Sequence, residues 1–148
     1  MKTPSIHALL FGLMFSQIAI ASDIDTAKQE VMKVMDEFMT TFNSRDVAAW
    51  EGTFNFPHVR IASNQVKVLE KPGEQPAELF ENLQKAGWHH SAWKERKIVQ
   101  VEPGKAHIAV QFVRYKENNE ILATYQSFYI VTLKDGHWGV QARSSFAP

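Results

Sequence analysis

"YQSFYIVTLKDGHWGVQARSSF", residues 125–146, is two apolar-rich runs divided by Asp135-Gly136. Asp-Gly between β-branched and aromatic runs predicts a two-residue hairpin turn. With that turn, Lys134 pairs with His137 and Leu133 with Trp138. Counting back, Val131 meets Val140, Tyr129 meets Ala142, Ser127 meets Ser144 and Tyr125 meets Phe146. The preceding run, "KAHIAVQFVRYK", ends near Asn118-Asn119. If that pair turns the chain, Phe112 meets Tyr125, Val110 meets Ser127, Ile108 meets Tyr129 and Ala106 meets Val131. Glu117 would then face Glu120, a mild repulsion that favours a longer loop.

Both counts select one face: Ala106, Ile108, Val110, Phe112, Tyr125, Tyr129, Val131, Leu133, Trp138 and Val140. The other face receives His107, Gln111, Gln126, Thr132, His137, Gln141 and Arg143. A slip of one residue would mix the two sets, so agreement between two turns supports the register.

Upstream, "WKERKIVQVE" reads as a further strand, separated by Pro103-Gly104. Residues 24–42 read as a helix with a stripe of Ile24, Ala27, Val31, Val34, Phe38 and Phe42, widened by Met35 and Met39. Thr26 with Gln29, or Asp23 one turn earlier, is expected to cap it. Asp46 is expected to cap a short helix, "VAAWEGTF", with Val47, Trp50 and Phe54 on one face. "FPHVRIA" follows as a strand whose Pro57 predicts a strand start or an edge. "VKVLE" returns beside it. Pro76 opens a third helix carrying Leu79, Phe80, Leu83 and Ala86, and Gly87 closes it.

The ends and the composition bound the rest. Lys2, an apolar stretch and Ala19-Ile20-Ala21 are the pattern of a signal peptide over residues 1–21, cleaved after Ala21. The stretch is broken by His7, Ser16 and Gln17, so no stable membrane span is expected. Residues 22–148 fit one exported domain, secreted or periplasmic. Sixteen basic residues balance sixteen acidic ones, and no nucleic-acid partner is indicated. The chain has no cysteine, which excludes disulfides, thiol catalysis and zinc–thiolate sites.

Three helices, an interposed strand pair and a long antiparallel meander form a recognisable order. With "FMTTFNSRDVAAWEGTFNFPHVRI" at one end and "YIVTLKDGHWGVQARSSFAP" at the other, the chain resembles the nuclear-transport-factor-2-like (NTF2-like) superfamily, and within it the SnoaL-like branch of small bacterial proteins. The resemblance spans residues 24–148. It implies an α+β cone in which three N-terminal helices pack on a strongly curved, mostly antiparallel sheet, with a pocket at the wide end. Family members use that pocket as isomerases, dehydratases, cyclases or epoxide hydrolases, or as binding or assembly modules. Many dimerise through the outer sheet face. The fold therefore does not fix the function.

His58 and Tyr125 are the candidate catalytic pair. Phe56, His58 and Arg60 share a strand face, and His58 could act as a base near neutral pH. In steroid-isomerase-like relatives a carboxylate base precedes the corresponding proline; here Phe56 stands there, against that enolisation chemistry. The competing reading of His58 is a partly buried imidazole bonded to backbone. The candidate ligand pocket comprises Trp50, Phe54, Arg60, Trp88, His89, Trp93, Phe112, Arg114, Ser127, Tyr129 and Ser144. Tyr125 or Tyr129 could donate to a carbonyl or a developing oxyanion. "GWHHSAW", residues 87–93, offers tryptophans that could stack a flat ligand, or simply an anchored loop. His89 and His90 are adjacent and point apart, a poor metal pair, so neither metal nor cofactor is expected. Arg60, Arg114 and Arg143 could each bind an anion; Arg143 falls on the outer face by the count, which favours an interface or surface role. The preferred function is binding of a small apolar or aromatic ligand in the cone. The alternatives are a lyase or isomerase using His58 with an inner tyrosine, and a homodimeric assembly module with a vestigial pocket.

Overall fold

The computed structural model describes residues 7–148, with side chains from Asp23 onward. Helix α1 (His7–Ser44) is continuous. No proline interrupts it, so nothing ends the helix at Asp23 or Thr26, and neither residue caps it. Its buried stripe is Ala27, Val31, Val34, Met35 and Phe38, with Phe42 packed against the same core. The expected signal peptide, residues 1–21, lies outside the described side chains. Among the described residues no helix is long and apolar enough to cross a membrane.

Helix α2 (Val47–Glu51) starts as expected: the Ala49 amide donates to Asp46 Oδ1 at 3.0 Å. It is shorter than its apolar pattern, because Phe54 already belongs to strand β1 (Phe54–Ala62). Strand β2 (Gln65–Leu69) pairs back on β1. Helix α3 (Leu79–Lys85) buries Phe80, and Gly87 supplies the left-handed residue after it, φ +89°. Four strands complete the chain: β3 (His90–Glu102), β4 (Lys105–Tyr115), β5 (Ile121–Lys134) and β6 (His137–Ser145).

The six strands form one sheet, ordered β2-β1-β6-β5-β4-β3. All neighbours are antiparallel except β1 and β6, which run parallel. Pro57 is therefore not on an edge. It is accommodated because β1 slips against β6 between Phe54 and Val59, and pairing with β2 begins only at His58. Register shifts also interrupt β3/β4, β4/β5 and β5/β6, and such bulges bend a sheet around its helices.

The β4/β5 register is the expected one: Ala106 faces Val131, Ile108 faces Tyr129, Val110 faces Ser127 and Phe112 faces Tyr125. The loop beyond it is longer than two residues, closed by Lys116 N–H donating to the Glu120 carbonyl at 2.9 Å. The β5/β6 turn is also the expected one, with Asp135 and Gly136 at positive φ, 51° and 80°. The expected register holds through Val131 opposite Val140. Beyond it a bulge at Gln141 adds one residue to β6, so Ile130 meets Ala142, Tyr129 meets Arg143 and Ser127 meets Ser145.

That bulge corrects two expectations. Arg143 is turned to the inner face rather than the outer one. Ser144 is turned to the outer face, opposite Phe128, rather than into the cone. The inner serine is Ser145, whose Oγ accepts from Ser127 Oγ at 2.7 Å. The outer face presents Phe128 and, beyond β6, Phe146 to solvent.

Candidate functional site

Aromatic rings from α1, α2 and the sheet meet at the mouth side of the core. Phe38 packs edge-on to Trp50 at 5.5 Å and to Tyr129 at 5.4 Å. Phe42 packs on Trp50, Phe80 and Trp88 at 5.0–5.2 Å. Trp93 is oriented by its indole N–H, which donates to the Met35 carbonyl at 3.0 Å. Two reciprocal bonds of 2.8 Å between Asn43 and the Ser91 backbone tie the end of α1 to the start of β3.

These elements leave a cavity of about 150 Å³. Its apolar wall includes Phe38, Trp50, Leu69, Leu83, Trp93 and Phe112. Its polar wall is cationic: Arg60 from β1, Lys67 from β2, Arg114 from β4 and Arg143 from β6, with Tyr129 beside them. None of the lining residues is an acid. The loop from 71 to 77 reaches the rim through Gln75 and Pro76. It is held by the buried Glu51 carboxylate, which accepts from the Gly73 amide at 2.6 Å and the Gln75 amide at 3.2 Å.

Two of the three guanidiniums sit on aromatic faces. Arg143 lies 5.0 Å above Trp50 and 5.5 Å above Phe38, and Arg114 lies 5.2 Å above Tyr125. Burial raises the pKa of the Tyr129 phenol, and the positive charge of Arg143 beside it opposes that rise. Arg60 donates to the carbonyls of Pro148 and Ala147 at 2.8 and 3.4 Å. Burial pulls the Arg60 pKa down to about 10, and the positive charges of Arg143 and Arg114 pull it further the same way. Burial lowers Arg114 too; Tyr125 opposes that, and Arg143 adds to it. Arg114 Nε and Arg143 Nε are buried without a hydrogen-bond partner.

Of the sequence-derived candidates, the cavity brings together Trp50, Arg60, Trp93, Phe112, Arg114 and Tyr129. The others lie elsewhere. Phe54 is a core ring stacked on His58 at 4.0 Å. Trp88 is buried against Phe42 and Phe80, its N–H donating to Ser91 Oγ at 2.9 Å. His89 is exposed, with Nδ1 3.0 Å from His90 Nδ1. Ser127 is buried against Ser145, and Ser144 is on the outer face. Tyr125 packs on Phe112 at 5.5 Å, just outside the cavity lining.

His58 is fully buried and does not line the cavity. Its Nδ1–H donates to the Val140 carbonyl at 2.8 Å, which fixes the tautomer and leaves Nε2 as an acceptor with no partner. Burial, reinforced by Arg143, lowers its pKa to about 3 although the Val140 bond opposes this. The ring is neutral at any ordinary pH.

Lys67 is the cationic residue that the sequence does not single out, and Arg143 is the one it places on the wrong face. Lys67 carries no distinguishing local signal. Arg143 is assigned to the wrong face by any count that ignores the bulge.

The comparisons with known proteins agree with this architecture. A search of the curated proteins gave no match. Among solved structures, the chain is similar to a cystatin-like-fold protein of unknown function from Nostoc punctiforme, at 14% identity and TM-score 0.66, covering 80% of this chain and 88% of that one. It is similar to an NTF2-like protein of unknown function from Shewanella oneidensis, at 15% identity and TM-score 0.61, covering 80% and 97%. It is also similar to a ketosteroid isomerase-like protein from Erwinia carotovora atroseptica, at 16% identity and TM-score 0.60, covering 81% and 96%. These likenesses are of fold. The model of one family, described as NTF2-like protein (DUF6841), matches residues 29–145. By its curved sheet, its helical layer and that match over most of its length, this chain belongs to the NTF2-like family.

Proposed function

We propose that this protein is a binding module that holds a small, largely apolar or aromatic ligand in its cone. One observation carries the reading: the aromatic cavity of about 150 Å³ is not filled by the protein's own side chains. A vestigial pocket in a pure assembly module would have closed, since an empty apolar space costs stability. A lyase or isomerase needs a proton acceptor at the substrate. The cavity lining offers no acidic side chain and no imidazole, and His58 is sealed behind it. Export directed by residues 1–21 places the module in the periplasm or outside the cell. A second copy docked on the outer sheet face would cover Phe128 and Phe146, which are exposed in the single chain.

Native mass spectrometry of protein purified from its own compartment tests the reading. The expected result is a retained small molecule that the cavity-filling variant Leu83→Trp does not carry. Wild-type protein free of ligand, and unmoved in melting temperature by a panel of small aromatic compounds, would refute it. Sedimentation equilibrium reads the subunit count: a monomer for Phe128→Glu and a dimer for wild type is expected. A wild-type monomer removes the dimer.

A further inference from the structure

We infer that the ligand is a small monocarboxylate with an aromatic body, its carboxylate held by Arg114 and Arg143 with Arg60 beside them and its ring among Phe38, Trp50, Trp93 and Phe112. This rests on the binding reading above and gives the ligand its charge.

The cavity gathers positive charge with no acidic side chain to balance it. Three guanidiniums and Lys67 converge there. The carboxylates close enough to matter, Glu51 and Glu74, act on Lys67. Arg60, Arg114 and Arg143 feel one another and the inner tyrosines instead. Like charges drawn together and partly desolvated are costly unless something compensates them. Carbonyls of Ala147 and Pro148 engage Arg60. Arg114 and Arg143 lie against ring faces, with a phenol beside each, and their buried Nε groups have no hydrogen-bond partner within the protein. An anion reaching the open ends of those two side chains supplies the missing charge.

Guanidinium forks match a planar carboxylate, with two donors for its two oxygens. The remainder of the cavity is aromatic and apolar, so the anion must bring an apolar body with it. A volume of about 150 Å³ holds a single benzene-sized ring in an engineered protein cavity. Inorganic anions would satisfy the arginines and leave the aromatic wall wet.

The test is calorimetric titration of the full chain with benzoate and phenylacetate, their neutral amides, and sodium sulfate. The carboxylates are expected to bind at least about tenfold more tightly than their amides, a difference of about 1.4 kcal/mol. Their affinity should fall as salt rises. Arg143→Gln and Arg114→Gln should each lose about tenfold or more for the carboxylates and clearly less for the amides. Arg143→Lys, which keeps the charge and loses the fork, should lose less, and circular dichroism checks that each variant is folded. Amides binding as well as acids would overturn the inference and leave the binding reading standing. Sulfate binding as tightly as benzoate would overturn it as well, because the ring would then contribute nothing. If no compound binds, this inference falls, and the binding reading falls with it only where native mass spectrometry also finds no retained ligand.

Discussion

His58 makes a prediction that can be sized from the structure. In the unfolded chain its imidazole protonates near pH 6.5; in the folded chain its pKa is lowered to about 3. Between those values the unfolded state holds a proton that the folded state refuses, so stability rises with pH. The contribution is fully present above pH 6.5 and is lost progressively as pH falls toward 3. Each pH unit inside that window costs about 1.4 kcal/mol, so going from about pH 7.5 to about pH 4.5 removes about 3 kcal/mol. The perturbation is His58→Gln, which can keep an N–H for the Val140 carbonyl and cannot titrate. The assay is urea unfolding followed by tryptophan fluorescence across that range, wild type against variant. Other titrating groups are shared and cancel in the difference. At the neutral end the variant should be less stable by about 1–3 kcal/mol, having lost packing on Phe54. The gap should close, then reverse, toward the acid end. Parallel profiles would show that His58 protonates alike in both states, and the account of a sealed, neutral ring would be wrong.

Three further changes probe what positions the cavity. Glu51→Ala frees the amides of Gly73 and Gln75, and should cost about 2–3 kcal/mol, with faster hydrogen exchange confined to the 71–77 loop. Gly139→Ala would set a Cβ 2.8 Å from the Phe54 carbonyl carbon and 2.9 Å from the Asn55 nitrogen, both backbone. It should therefore cost about 3 kcal/mol in a denaturant melt. Asp46→Ala removes the cap on the Ala49 amide and should cost about 1 kcal/mol, with Asp46→Asn largely restoring it.

Much of the scaffold was legible in local chemistry. Asp135-Gly136 set a tight turn, and the alternation around it set the pairing of Val131 with Val140. The stripe of α1 from Ala27 to Phe42 and the cap at Asp46 follow from three- and four-residue spacing and from a side-chain oxygen able to meet an orphan amide. Cavity residues on strands whose register held, Phe112, Arg114 and Tyr129, were found by the same alternation.

The sequence by itself determined which residues form helices, strands and turns, because each such preference is settled by neighbours a few positions away. Tertiary structure alone decided the character of the cavity. Strand β1 lies parallel to β6, and Asn55 bonds across to Thr132 at 2.7 Å while Gly139 meets the backbone at Phe54. The extra residue at Gln141 lies in that strand beside β1, and it turns Arg143 inward and Ser144 outward. Face assignment has a period of two, so a single inserted residue inverts every side chain beyond it. The third guanidinium of the cationic wall is set by that inversion, and the extra residue itself, Gln141, donates to the Asn55 and Pro57 carbonyls of β1, more than eighty residues away, a contact that no local pattern encodes.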